Sequence, residues 1–188
     1  MMMVVLKLLV IINIVVNVNA FIAGSLTNIP YSGPARYAAS SIINNCTIYV
    51  IAGRSSGFGS ELTTTETYNT ATNTWTTVSS NAPGRDHATS TLINNKIYSI
   101  GGYDYNSNTI YNDVNIFTIS TNTWSAVTTS GGFTARYAHS ESLVGSLIYV
   151  IGGRSGYYLN DVWTFNTDTN AWASIPTFGT FTARGYHR

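Results

Sequence analysis

The sequence predicts an all-β fold assembled from tandem copies of one unit, and three observations support this. Only 9% of the 188 residues are charged, against roughly 25% in an ordinary soluble domain. Asn, Thr, Ser and Tyr supply the polarity instead; Thr and Tyr, with Ile and Val, suit half-buried strands, while Asn, Ser and Gly suit turns. Finally, a set of landmark residues recurs at a nearly constant period, which is the signature of repeat architectures.

Each unit opens on an arginine, in Ala35-Arg36-Tyr37-Ala38-Ala39-Ser40, Gly84-Arg85-Asp86-His87 and Ala135-Arg136-Tyr137-Ala138-His139-Ser140. From each arginine it is 17 positions, without a gap, to the second residue of Ala52-Gly53, Gly101-Gly102 or Gly152-Gly153. Tyr68, Phe117 and Phe165 follow, each seven positions before Trp75, Trp124 or Trp172. Arg36, Arg85, Arg136 and Arg184 lie 49, 51 and 48 residues apart. This pattern resembles the Kelch repeat, whose period is about 50 residues, from Arg36 to the C-terminus. The resemblance implies an all-β, Kelch-type β-propeller of four-stranded blades. The repeats span 36–84, 85–135 and 136–183, and 184–188 begins a fourth.

The residues of each unit suit such a blade. A strand such as Ser40 to Ile43 follows the arginine. A two-residue turn comes next, centred on Asn44-Asn45, Asn94-Asn95 or Gly145-Ser146, where Asn and Gly tolerate the positive φ of tight hairpins. The second strand is 48–51, 97–100 or 148–151, and two of these three are continuously apolar, as a strand covered on both faces requires. The glycines after it let the backbone bend and adjacent blades approach; Ala52 takes the first of these places in unit one. The third strand carries Tyr68, Phe117 and Phe165, and the tryptophans begin the fourth. All these aromatics read as core, with Trp filling the wedge between blades.

Met1 to Ala20 stands apart and reads as a secretory signal peptide. It has one positive charge, Lys7, a short apolar run from Leu8 to Val16, and small residues at Val18-Asn19-Ala20. The run is shorter than the ~20 residues of a spanning helix, so no stable membrane span is expected after cleavage. Secretion, or residence in an endomembrane lumen, agrees with the single sequon, Asn45-Cys46-Thr47, which makes Asn45 a glycosylation candidate. Residues 21–35 look like the tail of a preceding blade, since Ile29-Pro30-Tyr31-Ser32-Gly33 echoes Ile175-Pro176-Thr177-Phe178-Gly179. Three complete units fall short of the roughly four to eight blades of a closed ring, and no end caps are visible. The expectation is an incomplete or fragment propeller, with self-association to complete the ring as the alternative.

Charge is nearly balanced, with nine Lys and Arg against eight Asp and Glu. No basic stripe is present, so nucleic acid is not an expected partner. One cysteine, Cys46, supplies neither an internal disulfide nor a multi-cysteine metal site. In proteins of the resembled family, partners bind at loops joining successive blades and at loops joining the second strand to the third. By position these contribute Arg36, Arg85, Arg136 and Arg184, and then Arg54 and Arg154 with Tyr103 in the matching place of unit two. Guanidinium forks suit carboxylates, so a protein or glycan ligand, acidic in character, is the expected partner. For the unit arginines a structural role competes with this, namely holding the inter-blade loop through backbone carbonyls. Tyr157, Tyr158, Phe58 and Tyr105 offer an aromatic surface in the same loops.

Catalytic patterns are weak. Gly53-Arg54-Ser55-Ser56-Gly57 matches the nucleophile-elbow pattern, but no helical period follows it and unit three lacks it. His87, His139 and His187 follow the unit arginines, and strand packing or hydrogen bonding is favoured over metal ligation. Asp113 and Asp161 recur in an Asn-Asp-Val triplet and read as turn-to-strand residues. Copper radical oxidases built on such propellers need a crosslinked cysteine, for which Cys46 has no evident partner. No metal or other cofactor and no enzyme activity are therefore expected. The alternatives are a fragment of a carbohydrate-active or oxidase enzyme with its catalytic residues outside this segment, or a truncated product without a stable fold.

Overall fold

A computed structural model describes residues 33–55, 61–177, 179 and 181–187, and the backbone alone of 18–22 and 25–29. The described residues form strands and turns without a helix, so none of them makes a helix long and apolar enough to cross a membrane. Three four-stranded antiparallel sheets follow the three repeats, each a meander in chain order. The first is Ser40–Asn44, Thr47–Ile51, Thr65–Asn69 and Thr74–Ser79. The second is Thr89–Ile93, Lys96–Ile100, Val114–Thr118 and Thr123–Val127. The third is Ser140–Val144, Leu147–Ile151, Val162–Asn166 and Ala171–Ile175. A separate hairpin pairs Val18–Ile22 with Ser25–Ile29, so the expected cleavage point at Ala20 falls within a paired strand.

The seven-residue spacing of the aromatic columns is hairpin arithmetic. Tyr68 pairs directly with Trp75, Phe117 with Trp124 and Phe165 with Trp172 across the third and fourth strands. Four-residue turns close these hairpins. In units one and three, Asn69 and Asn166 accept two backbone N–H groups of the turn through their side-chain oxygens. Asn73, Asn122 and Asn170 end the turns at positive φ, a conformation asparagine tolerates better than most residues. The first hairpin of unit one corrects one expectation. Asn44 pairs with Thr47, so the turn is Asn45-Cys46 instead of Asn44-Asn45. The other two turns are Asn94-Asn95 and Gly145-Ser146, as expected.

The core lies between sheets. Tyr49, Ile51 and Ala52 of the first pack with Ile97 and Phe117 of the second. Tyr98, Ile100 and Val114 of the second pack with Ile148, Val150, Phe165 and Trp172 of the third. Phe133, from the segment joining these two, stacks flat on Trp172 at 3.8 Å. Trp124 also reaches across, its indole N–H donating to Thr65 Oγ1 at 2.9 Å.

The first strands of the three sheets lie against one another, and short polar side chains join them. Ser40 meets Ser90 at 2.7 Å, and Thr89 meets His139 Nε2 at 2.6 Å. Thr89 and Thr91 both donate to the Glu141 carboxylate, and Ser140 meets His187 Nε2 at 3.1 Å.

The paired glycines mark the closest approach of one unit to the next. The second of each pair, Gly53, Gly102 or Gly153, donates its N–H to the carbonyl of the following unit's arginine at 3.0, 2.9 or 2.8 Å. That leaves no room beside the first. A Cβ on Gly101 would sit 2.5 Å from the Arg136 carbonyl oxygen, and one on Gly152 would sit 2.7 Å from that of Arg184. Ala52 occupies the same place with φ 51°, a left-handed conformation that costs a residue with a Cβ about 1–2 kcal/mol. Ala52→Gly is therefore expected to raise stability by up to about 1 kcal/mol, part of the relief being lost to chain entropy. Gly101→Ala is expected to lower it by about 2 kcal/mol or more. Urea unfolding of the two variants checks both signs.

Candidate partner-binding surface

The unit arginines turn inward. Arg36, Arg85 and Arg136 each donate Nη1 to a backbone carbonyl at the first place of the glycine pair: Ala52 at 3.0 Å, Gly101 at 2.9 Å and Gly152 at 2.9 Å. The rest of the fork meets a carboxylate. Arg136 grips Asp161 at 2.6 and 2.8 Å, Arg85 grips Asp113, and Arg36 meets Glu66 at 2.8 Å. All three are buried, Arg136 completely. Arg85 lies over the Tyr111 ring and Arg136 over Phe133. At these three positions the donors are engaged by internal acceptors, the backbone carbonyls of the competing structural role among them. Arg184 alone of the set is exposed; its Nε bonds the Thr182 carbonyl at 3.1 Å.

Asp113 and Asp161 are thus ion-pair partners within the fold, beyond the turn-to-strand role expected of them. Unit one redistributes the parts. Thr64 stands in the aspartate column and accepts Arg36 Nη2 at 2.9 Å. Two residues on, where Asn115 and Trp163 donate to the aspartates of units two and three, Glu66 supplies the missing charge.

The loops after the glycine pairs form small two-stranded rims, which sequence reasoning did not foresee. Arg54-Ser55 pairs with Arg36-Tyr37, Tyr103-Asp104 with Thr109-Ile110, and Arg154-Ser155 with Tyr157-Tyr158. Single bridges add Asp86 to Tyr103 and Tyr137 to Arg154. The candidates Arg54, Tyr103 and Arg154 are brought to this one rim. Arg54 lies between two rings, 4.8 Å from the centre of Tyr37 and 4.5 Å from that of Tyr105. Its Nε is 3.5 Å from the buried carboxylate of Asp86. Among the described residues nothing hydrogen-bonds the outer nitrogens of Arg54. Tyr103 stacks on Tyr137 at 5.3 Å and donates its hydroxyl to Asn108. Arg154 is half-buried and lies beside Tyr137 and Tyr186. Burial first, and Tyr186 next, holds the Tyr137 phenol above its ordinary range, so it stays neutral. Tyr157 and Tyr158 are exposed, the latter 5.8 Å from Arg154. Phe58, with Ser56 and Gly57 of the elbow pattern, lies outside the described residues.

Asn45 is exposed, at the end of the first sheet opposite the rim. His139 and His187 bond hydroxyls of the preceding unit through Nε2. His87 instead joins the rim, its Nδ1 3.0 Å from Asp86 Oδ1. Asp86 and His87 were the residues missed as site members. The available signal was that Asp86 interrupts a column holding Tyr37 and Tyr137, and His87 one holding Ala38 and Ala138.

A family model described as the KLHDC2/KLHL20/DRC7 Kelch-repeats domain matches residues 15–188. No curated protein matches the chain.

The internal ion pairs make a pH-dependent contribution. Burial alone would raise the Asp161 carboxyl, but the hydrogen bonds and charge of Arg136, helped by Trp163, outweigh it and hold the group below the usual aspartate value. A depressed carboxyl stabilises the fold above the unfolded value of about 3.9 and loses that contribution as pH falls through its lower folded value. Asp161→Asn leaves Arg136 buried without its counter-charge and is expected to cost about 1–3 kcal/mol, since the Asp161 carboxylate is itself partly screened by solvent. It should also flatten the acid limb of the stability profile, followed by urea unfolding across pH.

Proposed function

The chain belongs to the Kelch-repeat family, and from that premise we propose that it is a protein-binding β-propeller scaffold whose partner docks a carboxylate-bearing segment on the Arg54–Arg154 rim. One observation carries the reading. Arg54 is fixed on three sides, by Tyr37, Tyr105 and Asp86, while its outer nitrogens meet no acceptor among the described residues. A guanidinium so oriented has already lost the side-chain freedom that a ligand would otherwise have to remove. Arg154 stands one unit on from Tyr103, 5.8 Å from the Tyr158 ring and with Tyr137 and Tyr186 beside it. The Tyr103–Tyr137 stack between them supplies the rigid aromatic floor favoured at protein interfaces.

Binding, with no catalytic step, is the role proposed. Rim loops on a rigid sheet scaffold are where recognition residues concentrate. We further place the protein in the secretory route, on the apolar run behind Lys7 and on Asn45. A sugar there would stand at the far end of a five-residue strand from the rim, roughly 17 Å away, and would leave the rim open.

The test uses a fluorescein-labelled hexaglutamate peptide, with hexaglutamine as control, read by anisotropy. Hexaglutamate is expected to bind and hexaglutamine not. Arg54→Gln and Arg154→Gln should each weaken binding about tenfold or more, the scale of one charge-assisted hydrogen bond. Added salt should weaken it further. Wild-type affinity in the double variant would sink the proposal, and displacement by neutral oligosaccharides alone would favour a glycan partner.

A further inference from the structure

We propose that His87 is a third reader of the partner's carboxylate on this rim, and that its proton makes the recognition dependent on pH; the proposal rests on the binding reading above and extends it to a specific residue. The starting point is a cluster of three buried polar atoms that make no hydrogen bond. These are Arg54 Nε, Asp86 Oδ1 and His87 Nδ1. They converge on one carboxylate: Asp86 is only 1% exposed, with Arg54 Nε 3.5 Å from one oxygen and His87 Nδ1 3.0 Å from the other. Buried polar atoms are almost always completed by hydrogen bonds. Three incomplete ones around a single hub hold Arg54, Asp86 and His87 against one another without spending a hydrogen bond on any of those contacts.

The backbone holds His87 there. Its φ is 52°, as are those of Ala38 and Ala138 within a few degrees. Its N–H donates to the Ala38 carbonyl and its carbonyl accepts from Ala138, both at 3.0 Å. The ring therefore stands where three successive units meet. It contacts Tyr137 edge-on at 6.0 Å and Tyr186 at 5.1 Å, the two tyrosines that flank Arg154. The charged and titratable groups around it are Asp86 from its own segment, Arg54 from the rim of unit one, Tyr137 and Arg154 from unit three, and Tyr186 from the C-terminal segment.

Asp86 decides what the ring offers. A carboxylate facing Nδ1 favours the tautomer with its proton on Nδ1. The neutral ring then shows a lone pair at Nε2, which a ligand carboxylate avoids. Protonation turns Nε2 into a donor while Nδ1 keeps its proton beside Asp86 Oδ1, 3.0 Å away. The third contact therefore exists only with the added proton, and each carboxylate bound there takes one proton up.

The experiment measures hexaglutamate affinity at about pH 5.5 and about pH 8 for the wild type, His87→Asn and Arg54→Gln, all in the full chain. Asparagine suits positive φ, so His87→Asn keeps the backbone; a coincident thermal melt checks that. The wild type is expected to bind about tenfold tighter at the lower pH. His87→Asn should equalise the two affinities near the wild-type value at the higher pH. Arg54→Gln should weaken both and preserve their ratio. Calorimetry in buffers of different ionisation enthalpy should show proton uptake in the wild type and none in His87→Asn. A pH ratio that survives in His87→Asn, or a flat wild-type profile with binding still lost in Arg54→Gln, overturns this proposal and leaves the rim reading standing. No binding at either pH overturns both.

Discussion

The fold depends on one repeated contact: a buried guanidinium that clamps the start of each unit to the end of its own second strand. Arg36, Arg85 and Arg136 each join the carbonyl before the second glycine to a carboxylate at the head of the third strand. The inter-blade segment, the glycine corner and the third strand are thereby fastened at one point. Burying a charge is costly unless it is paired and hydrogen-bonded. Here the carbonyl and carboxylate together meet that condition, and the guanidinium's flat fork suits both at once. Because the corner is held, the next unit's arginine carbonyl can reach the second glycine N–H, and successive blades dock at a fixed distance.

Much of this architecture was legible in the sequence. The 17-residue gap between arginine and glycine never varies because both belong to one hairpin of fixed length plus its corner. The seven-residue gap from Tyr68, Phe117 or Phe165 to tryptophan holds for the same reason. The arginine–carboxylate pairing was not legible. Its spacing runs through the loop after the glycines, so Asp113 stands 28 positions from Arg85 while Asp161 stands 25 from Arg136. In unit one the carboxylate moves to Glu66, two residues along the same strand face. A column search sees a threonine there and no partner. The Asn44-Asn45 turn slipped by one because two adjacent asparagines fit either register; pairing of Asn44 with Thr47 resolves it.

The two classes of arginine differ in their neighbours and not in their chemistry. Arg136 has its donors met by Gly152 and Asp161, so burial is tolerable and the side chain serves the blade. Arg54 has rings on both faces and a carboxylate against Nε alone. Counting acceptors around each guanidinium among the described residues separates an arginine whose donors are spent inside the fold from one whose outer nitrogens are left over, which residue type and loop position could not do.

In a tandem array, a residue kept in every unit answers a demand that every unit shares, and that demand is packing. Positions where one unit breaks the pattern answer no such shared demand. Unit two does so at three linked positions: Asp86 where its neighbours carry tyrosine, His87 where they carry alanine, and Tyr103 where they carry arginine. Asp86 brings a carboxylate into a nearly closed site with incomplete hydrogen bonding, an arrangement that lowers stability on its own. The surrounding groups are arranged about it: Asp86 lies 3.5 Å from Arg54 Nε and 3.0 Å from His87 Nδ1, while Tyr103 stacks on Tyr137. The three departures lie in one constellation, joined by the Asp86–Tyr103 bridge and the Asp86–His87 contact.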